Sequence, residues 1–156
     1  MKNRENLTWS IKTFDELNTD ELYNILALRI EVFMIEQNTQ LSECDFTDKE
    51  AIHIFASDFS KKIVAYARIL PPGIVYPTPG IGRVVIHQKY RSKGLGKILL
   101  QKTITKLEEI YGSSIIEISA QDHLRKFYEN FGFRTPDESE VYLEAGIPHI
   151  RMLRKA

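Results

Sequence analysis

The clearest indication of a functional site in this chain is a short segment that contains Gly94 and Gly96. It joins an apolar run ending near Ile86 to a long amphipathic segment, Lys97 to Tyr111, which predicts a strand, a tight turn and a helix. Glycines let the backbone approach a ligand closely, and the free N–H groups of a first helical turn bind anions. The segment therefore predicts a phosphate or pyrophosphate site. Its residues are Arg91, Ser92, Lys93, Gly94, Leu95, Gly96 and Lys97.

Two better-known phosphate motifs match this segment poorly. A P-loop has Ser or Thr after its Gly-Lys pair, where this chain has Ile98. A dinucleotide-binding turn has a third glycine, where this chain has Leu99. An ordinary strand–turn–helix connection with solvated lysines also accounts for the pattern. From these residues alone, both a phosphate site and a purely structural turn remain open.

A second candidate is Tyr128, which lies among apolar residues at helical spacing. The pattern predicts a helix that is capped by Asp122 and ends at Gly132. Spacing alone favours a core tyrosine with a satisfied hydroxyl. The apolar residues on its face are Leu124, Phe127 and Phe131.

Carboxylates are concentrated in a polar segment without periodicity, Asn38 to Glu50, which predicts a loop. Glu43, Asp45 and Asp48 precede His53 in this part of the chain. The segment lacks the glycine and terminal glutamate of a calcium-binding loop, so we predict no metal site. We expect these carboxylates to be solvated, or to form a lip that attracts a cationic amine.

Hydrophobic periodicity places these candidates within a regular succession of elements. A capping box of Asn18 and Glu21 predicts a helix from Thr19 to Glu36. Strands and helices then follow one another in an order that predicts a mixed α/β domain, with helices covering a central sheet. A length of 156 residues fits one domain, residues 1–156. The predicted strands are Thr8–Phe14, Ile52–Ser57, Ile63–Leu70, Ile81–His87, Ile115–Ser119 and His149–Arg154.

Composition excludes several classes of protein. Lys plus Arg and Asp plus Glu are equal at 21 each, so the strong basic excess of a general nucleic-acid binder is missing. Cys44 is the only cysteine, which favours a reducing compartment. The polar N-terminus has no signal-peptide core, and no apolar run has the length of a membrane span. We therefore expect a cytoplasmic protein that binds neither nucleic acid nor membrane.

Two motifs together resemble a known family. The run from Val84 to Gly96 resembles motif A of the GNAT superfamily of N-acetyltransferases, whose core is Arg/Gln-x-x-Gly-x-Gly/Ala. Leu124 to Phe133 resembles its motif B, in which a helix carrying a tyrosine ends in Gly-Phe. The chain is most similar to the ElaA-type branch. The further matching segments are Leu28-Arg29, Val32-Phe33, Glu36-Gln37, Val64–Leu70, Ile81–Val84, Ala120-Gln121 and Gly146–Ile150.

The resemblance implies a fold and an activity. The GNAT fold has a central, mostly antiparallel mixed sheet, flanked by helices and splayed open between two parallel strands. Acetyl-CoA is the implied donor and an amine of a small molecule or peptide the implied acceptor. Binding modules that hold acyl-CoA as sensors or scaffolds without turnover, and nucleotide-binding proteins using the glycine turn, are the alternatives. We also predict a homodimer, because an apolar strand near the C-terminus leaves an edge to cover.

The resemblance also implies roles for individual residues. Tyr128 matches the general-acid position. The base is not set by the resemblance; Glu117, on the strand beside the cofactor cleft, is a candidate, and the other candidates are Glu36, Glu43, Asp45, Asp48 and His53. Gln121 stands where the family commonly has Asn, and Gln88 where it often has Pro. The implied cofactor-binding residues are Val84, Val85, Ile86, Arg91, Ser92, Lys93, Gly94, Leu95, Gly96, Lys97, Gln121 and Phe127.

An acceptor pocket is expected on the other side of the reacting groups. Because several of its residues are arginines, it would suit an acceptor carrying a carboxylate or phosphate as well as an amine. His87 and His123 are predicted to be surface residues. The expected acceptor-binding residues are Arg29, Glu36, His53, Tyr66, Arg68, Arg83 and His149.

Overall fold

The computed structural model describes residues 6–155, and these form a mixed sheet covered by helices. Eight strands pair in the order β1-β2-β3-β4-β5-β8-β6, with β7 also paired to β8. Only β4 and β5 run parallel. The strands are β1 Thr8–Thr13, β2 Ile52–Ser57, β3 Ile63–Leu70, β4 Gly80–Ile86, β5 Ile116–Gln121, β6 Phe133–Arg134, β7 Tyr142–Glu144 and β8 Ile147–Arg154. The helices are α1 Thr19–Arg29, α2 Leu95–Tyr111 and α3 Arg125–Glu129.

Helices cover both faces of the sheet. Ile54 and Phe55 are neighbours on β2, so their side chains point to opposite faces. Ile54 belongs to the core cluster that includes Leu99 and Leu100 of α2, whereas Phe55 packs in a second cluster with Ile25 of α1. Every residue of β3 is buried as a result, which explains its nearly continuous apolar sequence. The predicted mixed α/β class is confirmed.

The two parallel strands separate soon after they meet. Their register consists of one pair, Gly80 with Glu117, and the amide of Glu117 donates to the Pro79 carbonyl at 3.1 Å. A Cβ on Gly80 would lie 2.5 Å from the ring of Tyr76 and 3.0 Å from the Glu117 carbonyl. Only glycine therefore allows this close contact. Beyond it β4 and β5 diverge, and the predicted splay is present.

A β-bulge interrupts β4 where the strands diverge. Tyr66 pairs with Val85 and Arg68 with Gly82, so two residues of β4, Arg83 and Val84, face one residue of β3. Arg83 has a φ of +52°, in the left-handed region, which is uncommon for a residue with a side chain. Bulges redirect side chains next to functional sites, and this one directs Arg83 toward the loop of residues 38–50.

The first helical segment consists of an α-helix followed by a π-helix. Asn18 caps it as predicted, since its side chain accepts from the Glu21 amide at 2.7 Å and Glu21 binds the Asn18 amide in return. The chain stays helical to Glu36, but Ile30–Glu36 is a π-helix. π-Helical turns are frequent at functional sites, and this one delivers Glu36 and Gln37 to the end of the diverging strands.

Several local predictions were wrong. Asp122 does not cap a helix; it accepts from Arg125 within a 3₁₀ turn that precedes the short α3. His87 is buried rather than on the surface, and its Nδ1 accepts from the Lys89 amide. The C-terminal strand β8 is not an edge, because β5 pairs on one side and β6 and β7 on the other. These two strands are only two and three residues long, which is too short for a recognisable alternation of apolar and polar residues.

Candidate active site

A cavity of about 870 Å³ opens between the diverging strands β4 and β5. Its walls come from the C-terminal half of β4, the glycine turn, the first turn of α2, α3, the π-helix and the β7–β8 hairpin. Eleven of the predicted cofactor-binding residues line it: Val84, Val85, Ile86, Arg91, Ser92, Gly94, Leu95, Gly96, Lys97, Gln121 and Phe127. Lys93 does not; its ammonium lies over the Tyr90 ring.

The glycine turn presents free amides to this cavity. Gly94 is the N-cap of α2 with a φ of +74°, a conformation that favours glycine. The first helical hydrogen bond runs from the Ile98 amide to the Gly94 carbonyl. The N–H groups of the residues between them therefore have no partner within the helix. Arg91 and Lys97 lie on either side of this turn, so the site combines oriented amides, the positive end of a 17-residue helix and two cations.

Arg91 is held by a carboxylate in this structure. Its Nη2 donates to Glu36 Oε2 at 2.9 Å, and its Nε donates to the Ile86 carbonyl at 3.0 Å. The hydrogen bonds from Arg91 hold the pKa of Glu36 below its usual value, and they outweigh the effect of partial burial. Glu36, predicted to contact the acceptor, thus lines the cavity beside the glycine turn.

Tyr128 lines the cavity from α3 and is 6% exposed. Its ring packs edge-on against Phe127 and Phe133. Within residues 6–155 its hydroxyl makes no hydrogen bond. The oxygen is also not one of the fully buried polar atoms without a partner, so it keeps some exposure. The hydroxyl therefore remains open toward the cavity. Burial raises the pKa of Tyr128, which keeps the proton on the oxygen at neutral pH.

A pair of side-chain amides connects the two sides of the cavity. Gln121 at the end of β5 donates to Gln37 Oε1 at 3.1 Å, and Gln37 donates back at 3.4 Å. Sequence reasoning named Gln121 but gave no role to Gln37. The position of Gln37 could not be predicted from α-helical spacing, because the π-helix has wider turns and therefore changes which side chains face the strands.

The acidic loop is neither solvated nor a lip. Glu43 is 3% exposed, and the Arg29 guanidinium donates to it at 2.6 Å and to Asp48 at 2.8 Å. Arg68 donates to Asp48 at 2.8 Å and to Asp45 at 2.9 Å. Arg83 donates to Glu43 at 2.8 Å. Three arginines and three carboxylates thus neutralise one another, and we call these six residues the ionic cluster.

Ionisation in the ionic cluster is fixed by its pairing. Burial alone would raise the pKa of Asp48, but the hydrogen bonds and charges of Arg29 and Arg68 outweigh it and lower that pKa. Asp45 behaves in the same way, with Arg68 the main partner. Neither carboxylate is suited to act as a general base, because a base must take up a proton near neutral pH.

The predicted acceptor-binding residues fall into two groups. Arg68, Arg83, Glu36 and His149 line the cavity. Arg29, His53 and Tyr66 do not line it; they are buried behind it. His53 Nε2 donates to the Asp48 carbonyl at 2.9 Å, so its Nδ1 accepts from the Tyr66 hydroxyl at 2.6 Å. Burial lowers the pKa of His53 and raises that of Tyr66, which is consistent with a neutral, structural pair.

Glu117, the predicted base, does not line the cavity. Both of its carboxylate oxygens accept from Arg151, at 3.0 and 3.1 Å, and the residue is 7% exposed. The alternation along β5 directs its side chain to this ion pair. Its geometry therefore gives no support for a role in proton transfer.

A different carboxylate reaches the cavity from the β7–β8 hairpin. Glu144 and His149 both line it, with Glu144 Oε2 3.2 Å from His149 Nε2. Sequence reasoning named His149 but missed Glu144. A signal was present, because the Ala145-Gly146 pair separates two strands by two residues, which predicts a hairpin. Both turn residues have positive φ, as a two-residue hairpin of this kind requires.

The model of the acetyltransferase (GNAT) domain family matches residues 16–156. The chain belongs to this family. E. coli ElaA is 35% identical over 151 residues, which are 96% of this chain and 97% of ElaA. The ElaA crystal structure superposes with a TM-score of 0.88, covering 96% of this chain and 99% of ElaA. The chain is thus a GNAT protein of the ElaA type.

Other similar proteins are named as acyltransferases. An acyl-CoA N-acyltransferase structure from Pseudomonas aeruginosa is 37% identical and has a TM-score of 0.89, covering 95% of this chain and 99% of that one. The uncharacterised N-acetyltransferase YjcF of Bacillus subtilis is 31% identical over 138 residues, 88% of this chain and 94% of YjcF. This GNAT protein is accordingly an acyltransferase with an acceptor substrate. In the part of the chain described here, no helix is long and apolar enough to cross a membrane.

Proposed function

We propose that this GNAT protein is an acetyl-CoA-dependent N-acetyltransferase whose acceptor is a primary amine of a small molecule or peptide. The strongest support for this proposal is that three features line the same cavity. These are the free amides of the glycine turn, the diverging edge of β4, and the open hydroxyl of Tyr128. We infer a cytoplasmic location from the single cysteine.

The residues of the cavity fit coenzyme A. Its pyrophosphate would bind the amides between Gly94 and Ile98, with Lys97 and Arg91 as cationic partners. Its pantetheine arm would run along β4, with backbone groups of Val84, Val85 and Ile86 as hydrogen-bond partners, in the manner of an added strand. When bound, acetyl-CoA supplies an activated acetyl thioester at the divergence of the two strands.

Backbone amides near the bulge would stabilise developing negative charge. The bulge at Arg83 and Val84 takes this part of β4 out of regular pairing with β3. An N–H near Val85 would then be directed at the thioester oxygen. Donors that are fixed before the reaction stabilise an oxyanion without any cost of reorganisation.

Tyr128 would hold the proton that the departing sulfur needs. A tyrosine hydroxyl is protonated at neutral pH, and no protein group within residues 6–155 competes for that proton. The ring contacts with Phe127 and Phe133 fix its direction. A positioned general acid typically contributes about 10²- to 10⁴-fold to the rate.

The test is acetyl transfer to a panel of amines. Purified protein is incubated with acetyl-CoA and each amine, free CoA thiol is measured, and the N-acetyl product is identified by mass spectrometry. We expect thiol release that depends on the amine, with one acetylated product per thiol. Binding of acetyl-CoA without product from any amine would instead indicate an acyl-CoA sensor or scaffold.

A further inference from the structure

The β7–β8 hairpin brings two ionisable groups together at the cavity wall. His149 is buried in β8, and Glu144, 48% exposed at its side chain, ends β7. Their Nε2 and Oε2 atoms are 3.2 Å apart. The His149 ring stacks on Tyr142 with 26° between the planes. The imidazole is therefore held in one orientation with its edge toward the cavity.

The backbone fixes which nitrogen of His149 carries a proton. Nδ1 lies 2.7 Å from the Ile147 carbonyl, and a carbonyl oxygen only accepts, so Nδ1 is the donor. In the neutral ring, Nε2 is then a bare lone pair that faces a carboxylate oxygen. Two acceptors at this distance need a proton or an N–H donor between them. A neutral His149 and Glu144 thus form a site for a group with several N–H donors.

The other carboxylates that line the cavity are already neutralised by guanidinium groups. Glu36 is paired with Arg91, and Asp45 with Arg68. Glu144 differs because, among residues 6–155, its ion-pair partner is an imidazole, which can lose its charge. Arg68 and Arg91 are the guanidinium partners in these two pairs, and Arg83 donates through Nε to Glu43. The charge pattern favours a cationic acceptor at Glu144.

We propose that Glu144 binds the ammonium group of the acceptor and that His149 Nε2 is the base that deprotonates it. This rests on the proposed N-acetyltransferase activity. The overall step is R-NH₃⁺ + CH₃CO-S-CoA → CH₃CO-NH-R + HS-CoA + H⁺. The C–N bond forms and the C–S bond breaks. Of the two protons that the nitrogen loses, one passes to His149 Nε2 and then to water, and the other balances the proton gained by the sulfur.

The surroundings of His149 contain few other titrating groups. Glu144 and Tyr142 approach from β7, and the charge of Glu144 also acts on Tyr76, whose pKa burial raises to about 12. Arg151, two residues along β8, is paired with Glu117. His149 is opposite the uncharged Gln121 on β5. Glu144 is therefore the charged group in direct contact with the His149 ring.

The deciding variant is His149→Asn. Asparagine Nδ2 can keep the hydrogen bond to the Ile147 carbonyl, while the position of Nε2 is lost. We expect kcat for the best amine of the panel to fall by about 10²-fold or more at neutral pH, with unchanged melting temperature and acetyl-CoA affinity. Alkaline pH should restore part of the rate, because solvent then supplies the free amine. A packing role would not give this recovery.

Glu144→Gln tests the binding half of the proposal. The exposed carboxylate tolerates the change, so the variant folds even if His149→Asn does not. We expect KM for the amine to rise by about 10- to 100-fold, the loss of one hydrogen bond to a charged group. Glu140→Gln, an exposed carboxylate four residues earlier and outside the cavity, is the matched control and should leave KM unchanged.

A binding measurement separates this inference from the activity. The Cε1–H signal of His149 is assigned by its absence in His149→Asn, and butylammonium chloride is titrated into the wild type and Glu144→Gln. We expect a saturable shift in the wild type that is lost in Glu144→Gln, with little response to butyltrimethylammonium, which has no N–H. Full kcat in His149→Asn would overturn the inference and leave the proposed function intact. Failure of the wild type to acetylate any amine would overturn the proposed function, while the titration still decides whether the pair binds an ammonium.

Discussion

At the scale of single residues, the anion site depends on a few cations with different surroundings. Arg91 divides its hydrogen bonds between Glu36 and the Ile86 carbonyl. Lys97 is exposed in the first turn of α2 and lines the cavity, whereas Lys93, close by in sequence, does not. Position in the turn, rather than the density of lysines, therefore determines which charge would reach the pyrophosphate of the proposed cofactor.

Lys97→Glu should weaken acetyl-CoA binding by about 10-fold or more, because a carboxylate would oppose the pyrophosphate at the helix N-terminus. Isothermal titration calorimetry measures the change. Lys106→Glu reverses a charge on the same helix, far from the cavity, and should bind as the wild type does. Equal affinities for all three proteins would show that the glycine turn is not the phosphate site.

At the scale of elements, the ionic cluster joins the end of α1, the acidic loop, β3 and β4. Arg29 is fully buried and depends on Glu43 and Asp48 for compensation of its charge. Breaking one side of a buried ion pair leaves a charge that solvent cannot reach. The cluster therefore fixes the loop against the wall of the cavity that Asp45, Arg68 and Arg83 line.

Asp48→Asn should reduce the free energy of unfolding by about 3–5 kcal/mol, the usual cost of leaving a buried charge without its partner. Urea denaturation followed by circular dichroism measures it. Asp137→Asn removes an exposed carboxylate and should change stability by less than about 0.5 kcal/mol. A small loss in Asp48→Asn would mean that Glu43 alone compensates Arg29.

Asp48 also makes the stability of the protein depend on pH. The pKa of Asp48 is lower in the folded protein than in the unfolded chain, so its contribution is complete above the unfolded value of about 3.9. It is lost as pH falls through the lower folded value. The wild type should therefore lose stability in acid more steeply than Asp48→Asn does.

The limits of sequence reasoning follow the range of the interactions. The turn at Gly94 and the helical position of Tyr128 could be predicted because their neighbours in the chain define a turn and a helical stripe. The proposed general-acid role of Tyr128 comes only from the family resemblance, since the stripe alone favours a core residue. The fates of Glu43 and Asp48 could not, because their partner Arg29 is 14 and 19 residues away, and no local pattern records that pairing. Glu117 was placed on the correct strand, but its pairing with Arg151 depends on the register between β5 and β8.

At the scale of the whole molecule, the sheet has edges other than the predicted one. β8 is covered on both sides, so the outer strands are β1 and the short β6 and β7. Leu143 on β7 is 72% exposed. An apolar residue next to free strand edges is a position where a second copy can pack.

A homodimer is still our prediction, and light scattering at micromolar concentration tests it. The expected mass is twice the 18.1 kDa of the chain. Leu143→Glu should lower the mass toward that of one chain if β7 forms the contact. A wild-type mass of one chain would contradict the prediction.

In the proposed mechanism, the hydroxyl of Tyr128 serves the reaction rather than the core. Tyr128→Phe keeps the ring and its packing against Phe133, removing only the proton donor. Because the hydroxyl has no partner among residues 6–155, unfolding free energy should change by less than about 1 kcal/mol. Affinity for acetyl-CoA should be unchanged, since its other contacts lie elsewhere.

The most direct measurement is the single-turnover rate of acetyl transfer in the wild type and Tyr128→Phe, with protein in excess over acetyl-CoA and the best amine at saturation. This rate reports chemistry without product release. We predict that it falls by about 10²-fold or more in Tyr128→Phe. An equal rate in both proteins would contradict the account, because the sulfur would then leave without the Tyr128 proton.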